Sequence, residues 1–566
     1  MRSPLPDLFP QPRSIRIIGE AAVPVTVAPD CRSDPSLPAE GYLLELDASG
    51  IRLAHSDEAG RRHGLATLEQ LRKHPYCPSL RIEDAPDLRQ RGFMLDISRC
   101  RVPRRWQLEQ LVDLLAALKF NQLQLYTEHT FAYPGHELVW GASSPMTPGD
   151  IHHIDRYCRQ RGIELVPNQN SFGHMERWLK YPQYHDLAEC PDGFVHPVDR
   201  TRGRVPNGSV LQPGKKSLDF MESLYDDLLP HFTSGMLHAG CDETWELGQG
   251  ASRERVAREG KERVYLQFLL QLHKLVEGKG RRMLFWADML QEHPEFFGEI
   301  PPDLIPVAWG YERKHPFPGY TAALAASGLE FLVAPGTSDW DSYSGRLDNT
   351  LENITAAVRA AIHSGAAGCL LASWGDRGHQ QAWPLIFPGL VQAGCLAWNA
   401  RAQPDLQAAL TALPGMCPST AQAGALLALG RIENGWIAED RNHSVNRWLL
   451  RDNPLALRME LDLTGPEPLR KGIQGIHAIR ETLGPVDPAD PRPSVSRDLR
   501  LACDFCECAY RRGLFLLGSD DGRGLAASLQ SLIGRFESNW LLRFRPGGLS
   551  ESTGLLRDTL QSLLRR

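Results

Sequence analysis

From Arg91 to about residue 400 the chain alternates short apolar runs with stretches of helical periodicity. The runs are GFMLDIS (92–98), NQLQLYTE (121–128), IELVPNQN (163–170), MLHAGCDE (236–243), RMLFWADM (282–289), LIPVAWGY (304–311), LEFLVAPG (329–336) and GCLLASWG (368–375). Each reads as a strand buried on both faces. Helical patterns lie between them, such as 106–118, with apolar residues at 108, 111, 112, 115 and 118, and 349–363. Helices of that length allow the crossover that parallel strands need. Eight such units predict an α/β fold, a (β/α)₈ TIM barrel, over residues 89–400.

The flanks read differently. Residues 1–88 carry two alternating strands, YLLELDAS and GIRLAHSD, which meet at a Ser-Gly turn and precede a helix over 64–74. They predict a small α+β domain. Residues 401–566 are Ala- and Leu-rich, with a Pro-rich interruption over 484–494, and predict an α-helical C-terminal domain that packs on the barrel.

In a barrel of this kind active sites form where the strands end. Here the strand ends carry Glu128, Asn170, Asp242, Glu243, Asp288, Trp309, Tyr311, Trp374 and Asp376. The adjacent carboxylates Asp242 and Glu243 close the run MLHAGCDET. Neighbouring carboxylates repel, so ionisation of one raises the pKa of the other and keeps it protonated as a general acid. The competing reading is a helix N-terminus, where acidic residues are favoured in the first turn.

With 42% hydrophobic residues, a formal net charge of -6 and a mean hydropathy of -0.32, the composition is that of a soluble globular protein. It offers no basis for a nucleic-acid partner. The opening MRSPLPDLFPQPRSIRI lacks an apolar core of signal-peptide length, and no later window has the apolar length of a membrane helix, so a cytoplasmic location without membrane attachment is expected. The twelve cysteines are scattered, several inside apolar segments, as reduced buried thiols are. CDFCEC (Cys503, Cys506, Cys508) matches half of a zinc site but has no second ligand pair at suitable spacing, so helix cysteines are the preferred reading.

His238-Ala239-Gly240-Cys241-Asp242-Glu243 resembles the H-x-G-G-D-E strand of the glycoside hydrolase family 20 β-N-acetylhexosaminidases, with cysteine for the second glycine. RGFMLDISR (Arg91 to Arg99) is similar to that family's first barrel strand, and the N-terminal segment to its non-catalytic α+β domain. The likeness is to the intracellular, hexosaminidase D-like branch and reaches about residue 400. It implies exo-acting, retaining hydrolysis in which the substrate's 2-acetamido oxygen is the nucleophile. Glu243 would be the general acid and base, and Asp242 the group holding the acetamido N–H.

The resemblance further implies that Arg91 binds O3 and O4 of the terminal sugar, and that His174 and Glu128 link to the general acid. Trp286, Trp309 and Trp374 would wall the acetamido pocket and floor the sugar. Asp376 would bind O4 and O6. The tyrosine that aligns the acetamido oxygen has no matching motif in APGTSDWDSYSG, which leaves Tyr311, preferred for its place at a strand rim, and Tyr343. Trp340 would then be a sugar platform. No metal and no organic cofactor is implied, and the partner is an N-acetylhexosamine-containing oligosaccharide or glycoconjugate. The rivals are a metal-dependent barrel hydrolase, disfavoured because no HxH or HExxH pair lies at a strand end, and a catalytically silent carbohydrate-binding protein.

Overall fold

The computed structural model describes residues 7–565 apart from 75, 197–203, 437–440, 452–456, 459–460, 462–463 and 487–491. The centre of the Pro-rich interruption expected over 484–494 therefore lies outside the described residues.

The N-terminal unit is a five-stranded sheet, in spatial order Ser14–Pro24, Tyr76–Asp84, Tyr42–Asp47, Gly50–His55 and Asp30–Ser33. The expected hairpin is its centre, pairing Asp47 with Gly50 at the turn. The first strand was not legible as one, since its register shifts between Ile17 and Gly19 and again before Val23, which breaks the alternation. The helix runs Glu58–Leu71 rather than 64–74, because Asp57 caps it by accepting from the Gly60 N–H at 2.8 Å. Leu44, Leu46, Leu53, Leu68, Leu71, Leu80 and Ile82 form the core between helix and sheet.

Eight parallel strands close the barrel: Gln90–Asp96, Gln122–Thr127, Glu164–Gln169, Met236–His238, Arg282–Trp286, Ile305–Trp309, Leu332–Ala334 and Gly368–Ser373, numbered first to eighth below. Closure is made where the eighth strand pairs with the first from Gly368↔Gln90 to Ser373↔Leu95. Side chains alternate between lumen and helices. Phe93, Leu95, Leu123, Leu125, Met283 and Phe285 join the outer core under helices such as Arg105–Ala117 and Leu347–His363. Met94, Tyr126, Leu284, Trp286, Val307, Leu332 and Leu370 fill the lumen. The fold is thus a TIM barrel beside an N-terminal α+β unit and a C-terminal helical region.

The C-terminal helices include Pro466–Thr482, Val495–Leu516, Leu525–Arg543 and Leu549–Leu564. Glu551, in the first turn of the last, grips Arg177 at 2.6 and 2.7 Å, and Ser552 Oγ donates to the Gly378 carbonyl at 2.5 Å. These helices are therefore tied to the rim where the third and eighth strands end. Cys503, Cys506 and Cys508 are free thiols buried in Val495–Leu516. Among the described residues no helix is long and apolar enough to cross a membrane.

Candidate active site

The fourth strand ends at His238, and the backbone then turns sharply, with φ of +69° at Gly240, +73° at Cys241 and +50° at Glu243. This left-handed run accounts for the two glycines of the H-x-G-G-D-E motif and leaves Cys241 in a conformation that suits glycine. Cys241 is held there by its N–H donating to Asn170 Oδ1 at 3.2 Å and its carbonyl accepting from Tyr265 Oη at 3.0 Å. The turn delivers Asp242 and Glu243 to the barrel mouth.

Asp242 is buried, and each of its oxygens meets one partner. Asn170 Nδ2 donates to its Oδ1 at 3.0 Å, and His174 Nε2 lies 3.2 Å from its Oδ2 and 3.5 Å from Glu243 Oε2. Burial works against a charge on Asp242, but His174 and Asn170 outweigh it and hold the carboxyl below its ordinary value. Burial likewise opposes a charged His174, yet Asp242 pushes that imidazole up to about 10. Gly173 makes the contact possible, since a Cβ there would stand 2.2 Å from the Asp242 carbonyl oxygen.

Glu243 moves the other way. Burial raises its carboxyl, His174 partly offsets this, and the Asp242 and Asp376 charges raise it further. Its side chain remains 34% exposed, so the proton it retains is within reach of a ligand. The pair is therefore an ionised Asp242 beside a Glu243 biased toward its acid form.

An aromatic cage surrounds these carboxylates. Tyr311 stacks on Trp309 at 5.0 Å between centroids and meets Trp340 edge-on at 5.1 Å. Trp374 packs 4.7 Å from Tyr126 and 6.0 Å from Trp286. Gly336 lets Trp340 into this cage, because a Cβ there would fall 2.4 Å from the indole. The indole N–H groups of Trp286 and Trp340 are buried without a protein acceptor. Such donors suit a polar ligand enclosed by flat apolar faces.

Beside His174 stands Arg99, just beyond the first strand. Its guanidinium bonds Asp96 at 3.0 Å, lies 3.3 Å from Asp376 and 3.5 Å from Glu128, and reaches within 3.4 Å of His174 Nδ1. It sits over the rings of Tyr126 and Trp374 at 5.1 and 4.9 Å. Glu128 is buried and accepts from Tyr126 Oη at 3.0 Å, with burial pushing it up to about 7 against the pull of Arg99.

Two expected site residues lie elsewhere. Arg91, second residue of the first strand, is at the opposite end of the barrel and 1% exposed. Its guanidinium pairs with Glu40 at 2.5 Å and donates to the carbonyls of Leu88 and Lys119, so it ties the N-terminal unit to the barrel floor and cannot reach a sugar at the mouth. With about 3.3 Å of rise per strand residue, Arg91 and Arg99 are on the order of 20 Å apart. Tyr343 is buried against the C-terminal helices, its ring 4.5 Å from Phe505 and its hydroxyl donating to Gln380 at 2.7 Å. That corrects its candidacy and leaves Tyr311 in the cage. Sequence reading placed Asn170 and Asp288 at strand ends without assigning them a contact, and passed over Asp96 and Arg99, although both stand within the quoted RGFMLDISR segment.

Sequence profiles described as "Glycosyl hydrolase family 20, catalytic domain" and "Glycosyl hydrolase family 20, domain 2" match residues 89–340 and 10–85. A beta-hexosaminidase of Akkermansia muciniphila is 27% identical over 314 residues, 50% of this chain and 62% of that protein. Hexosaminidase D of Bos taurus is 29% identical over 219 residues, 37% of this chain and 59% of its own length. The chain thus spans under two thirds of either relative's length. The crystal structure of a Flavobacterium johnsoniae chitobiase superposes with a TM-score of 0.60 over 100% of both chains at 15% identity, a likeness of fold. With the two profiles together spanning more than half of its residues and meeting on the barrel and its N-terminal companion, the chain belongs to glycosyl hydrolase family 20.

Proposed function

We propose that this protein is an exo-β-N-acetylhexosaminidase that removes terminal N-acetyl-β-hexosamine residues by substrate-assisted, retaining hydrolysis. One observation carries the reading: the adjacent carboxylates Asp242 and Glu243 are biased to opposite protonation states at the mouth of an aromatic-lined barrel. In the first step the acetamido oxygen attacks the anomeric carbon as the glycosidic bond breaks, and the Glu243 proton passes to the departing oxygen. Asp242 accepts the acetamido N–H and balances the positive oxazolinium. Water then attacks the anomeric carbon, gives its proton to Glu243, and the acetamido group is restored.

Three other carboxylates near the mouth are committed. Asp96 is bound by Arg99 and the Gly375 N–H, Glu128 is biased toward its neutral form, and Asp288 accepts two N–H donors. That favours the substrate's amide as nucleophile. Tyr311 aligns it, and Trp286, Trp309, Trp340 and Trp374 enclose the ring. The O3 and O4 contacts first assigned to Arg91 pass to Arg99, with Asp376 beside it, while His174 fixes Asp242 and Glu128 steadies Arg99.

The same reading divides the chain at 1–88, 89–400 and 401–566, with catalysis in the middle part. It takes the substrate as an N-acetylhexosamine-containing oligosaccharide or glycoconjugate, met inside the cell, where twelve free cysteines, eleven of them buried, are at home. The test is hydrolysis of aryl N-acetyl-β-glucosaminide, N-acetyl-β-galactosaminide and plain β-glucoside, before and after EDTA dialysis. Activity confined to the N-acetyl substrates, unchanged by EDTA and inhibited competitively by a thiazoline, is expected. Brisk hydrolysis of the glucoside overturns substrate assistance. Metal-dependent recovery favours a metal hydrolase, and inertness on all substrates favours a binding protein.

A further inference from the structure

Glu243 occupies a left-handed backbone conformation, φ +50°, which an L-residue keeps only when its surroundings impose it. Two hydrogen bonds do so. The Glu243 carbonyl accepts from the Trp245 N–H at 2.7 Å, and the Glu243 N–H donates to Asp288 Oδ2 at 3.0 Å. The first bond is local to the turn. The second comes from a different barrel unit, since Asp288 opens the short helix Asp288–Gln291 after the fifth strand.

The other oxygen of the same carboxyl, Oδ1, accepts the Trp309 indole N–H at 3.2 Å, from the end of the sixth strand. Asp288 thus joins the fourth, fifth and sixth strand ends at one point. Both of its partners are pure donors, so the bridge needs an acceptor at each position. Burial and the Asp242 charge push Asp288 up to about 8, while the two N–H donors pull it down and so favour the ionised, doubly accepting form.

We propose that Asp288 is a positioning residue for proton donation: by accepting the Glu243 and Trp309 N–H groups together, it fixes the acid's backbone against the aromatic wall and so aims the Glu243 carboxyl at the glycosidic oxygen. This rests on Glu243 being the general acid. Asn offers one acceptor and one NH₂ in nearly the same volume, so Asp288→Asn sets a donor against a donor at Glu243 or at Trp309.

The test measures kcat/KM on N-acetyl-β-glucosaminides graded in leaving-group pKa, for the wild type, Asp288→Asn and Glu243→Gln. Asp288→Asn should lose on the order of 10- to 100-fold on alkyl glycosides, since small misplacements of reacting groups have effects of that size. On 2,4-dinitrophenyl glycosides, which depart unaided, its loss should stay within about 3-fold. A merely structural lesion in the cage would lower both series alike, and equal losses, or none, overturn the proposal. If Glu243→Gln itself shows no leaving-group dependence, the assignment of the acid fails instead.

A second measurement uses Trp309→Phe, which deletes one donor. In that background the asparagine oxygen can turn wholly to the Glu243 N–H, so the added effect of Asp288→Asn should fall to about 3-fold or less on alkyl glycosides. Full additivity would contradict the two-acceptor bridge.

Discussion

His174 presents Nε2 to Asp242 Oδ2 at 3.2 Å from a backbone held at φ +54°. The contact joins the ends of the third and fourth barrel strands and decides which member of the carboxylate pair carries the negative charge.

Replacement of His174 by Gln should therefore raise the pKa of Asp242 and move the acid limb of the kcat/KM profile to higher pH, because an ionised Asp242 is required. Stability should follow the same linkage. His174, raised from 6.5 to about 10, stabilises the fold fully below its unfolded value, and that contribution is lost as pH rises through about 10. Asp242, lowered, adds stability above its unfolded value that is lost as pH falls through its folded one. Melting temperatures from pH 5 to 10 should show the gap between wild type and His174→Gln narrowing toward pH 10. A gap constant with pH would mean the two groups are not paired as charges.

The two arginines of RGFMLDISR should separate cleanly by assay. Arg99→Met removes charged hydrogen bonds at the mouth and should lower kcat/KM on the order of 10- to 100-fold, near 1.5–3 kcal/mol. Arg91→Met breaks a buried pair and should cost about 3–5 kcal/mol of folding stability, read by urea unfolding, with KM of the folded enzyme unchanged. The opposite assignment of effects would return sugar binding to Arg91.

For the tyrosines, Tyr311→Phe should depress kcat more than it raises KM, since its hydroxyl matters most as charge develops on the amide. Tyr343→Phe should leave kinetics within about 3-fold and show its effect in stability, where losing a buried hydrogen bond costs roughly 1 kcal/mol. A kinetic defect confined to Tyr343→Phe would reverse the roles.

Cys241 tests the turn. Gly at φ +73° relieves strain of about 1 kcal/mol while giving up a similar amount of thiol burial. Cys241→Gly should then unfold within about 1 kcal/mol of wild type and remain active. Cys241→Val, β-branched in a left-handed position, should be destabilised by over about 2 kcal/mol. Tolerance of valine would show that the turn is not imposed by the fold.

Much of this was legible without coordinates. Seven of the eight barrel strands lie within the runs read from the sequence, and the first, Gln90–Asp96, overlaps its run from Gly92, because a strand buried on both faces leaves a contiguous apolar stretch that no neighbour needs to explain. The place of Asp242 and Glu243 at a strand end was equally legible, since they directly follow an apolar run. The edge strand Ser14–Pro24 and its neighbour Tyr76–Asp84 were not, because a bulged edge and the strand beside it take their form from pairing.

By itself, then, the sequence determined the barrel, its order and the carboxylate pair, all of which depend on periodicity or on neighbours in the chain. Only the tertiary structure decided which arginine of one segment faces the mouth, which tyrosine enters the cage, and that Asp288 accepts the Glu243 N–H. Those are matters of strand polarity and of contacts between residues distant in the chain, such as Glu243 and Asp288, 45 positions apart, which local pattern does not encode. They exist only once the eight strands close and bring their ends to one rim.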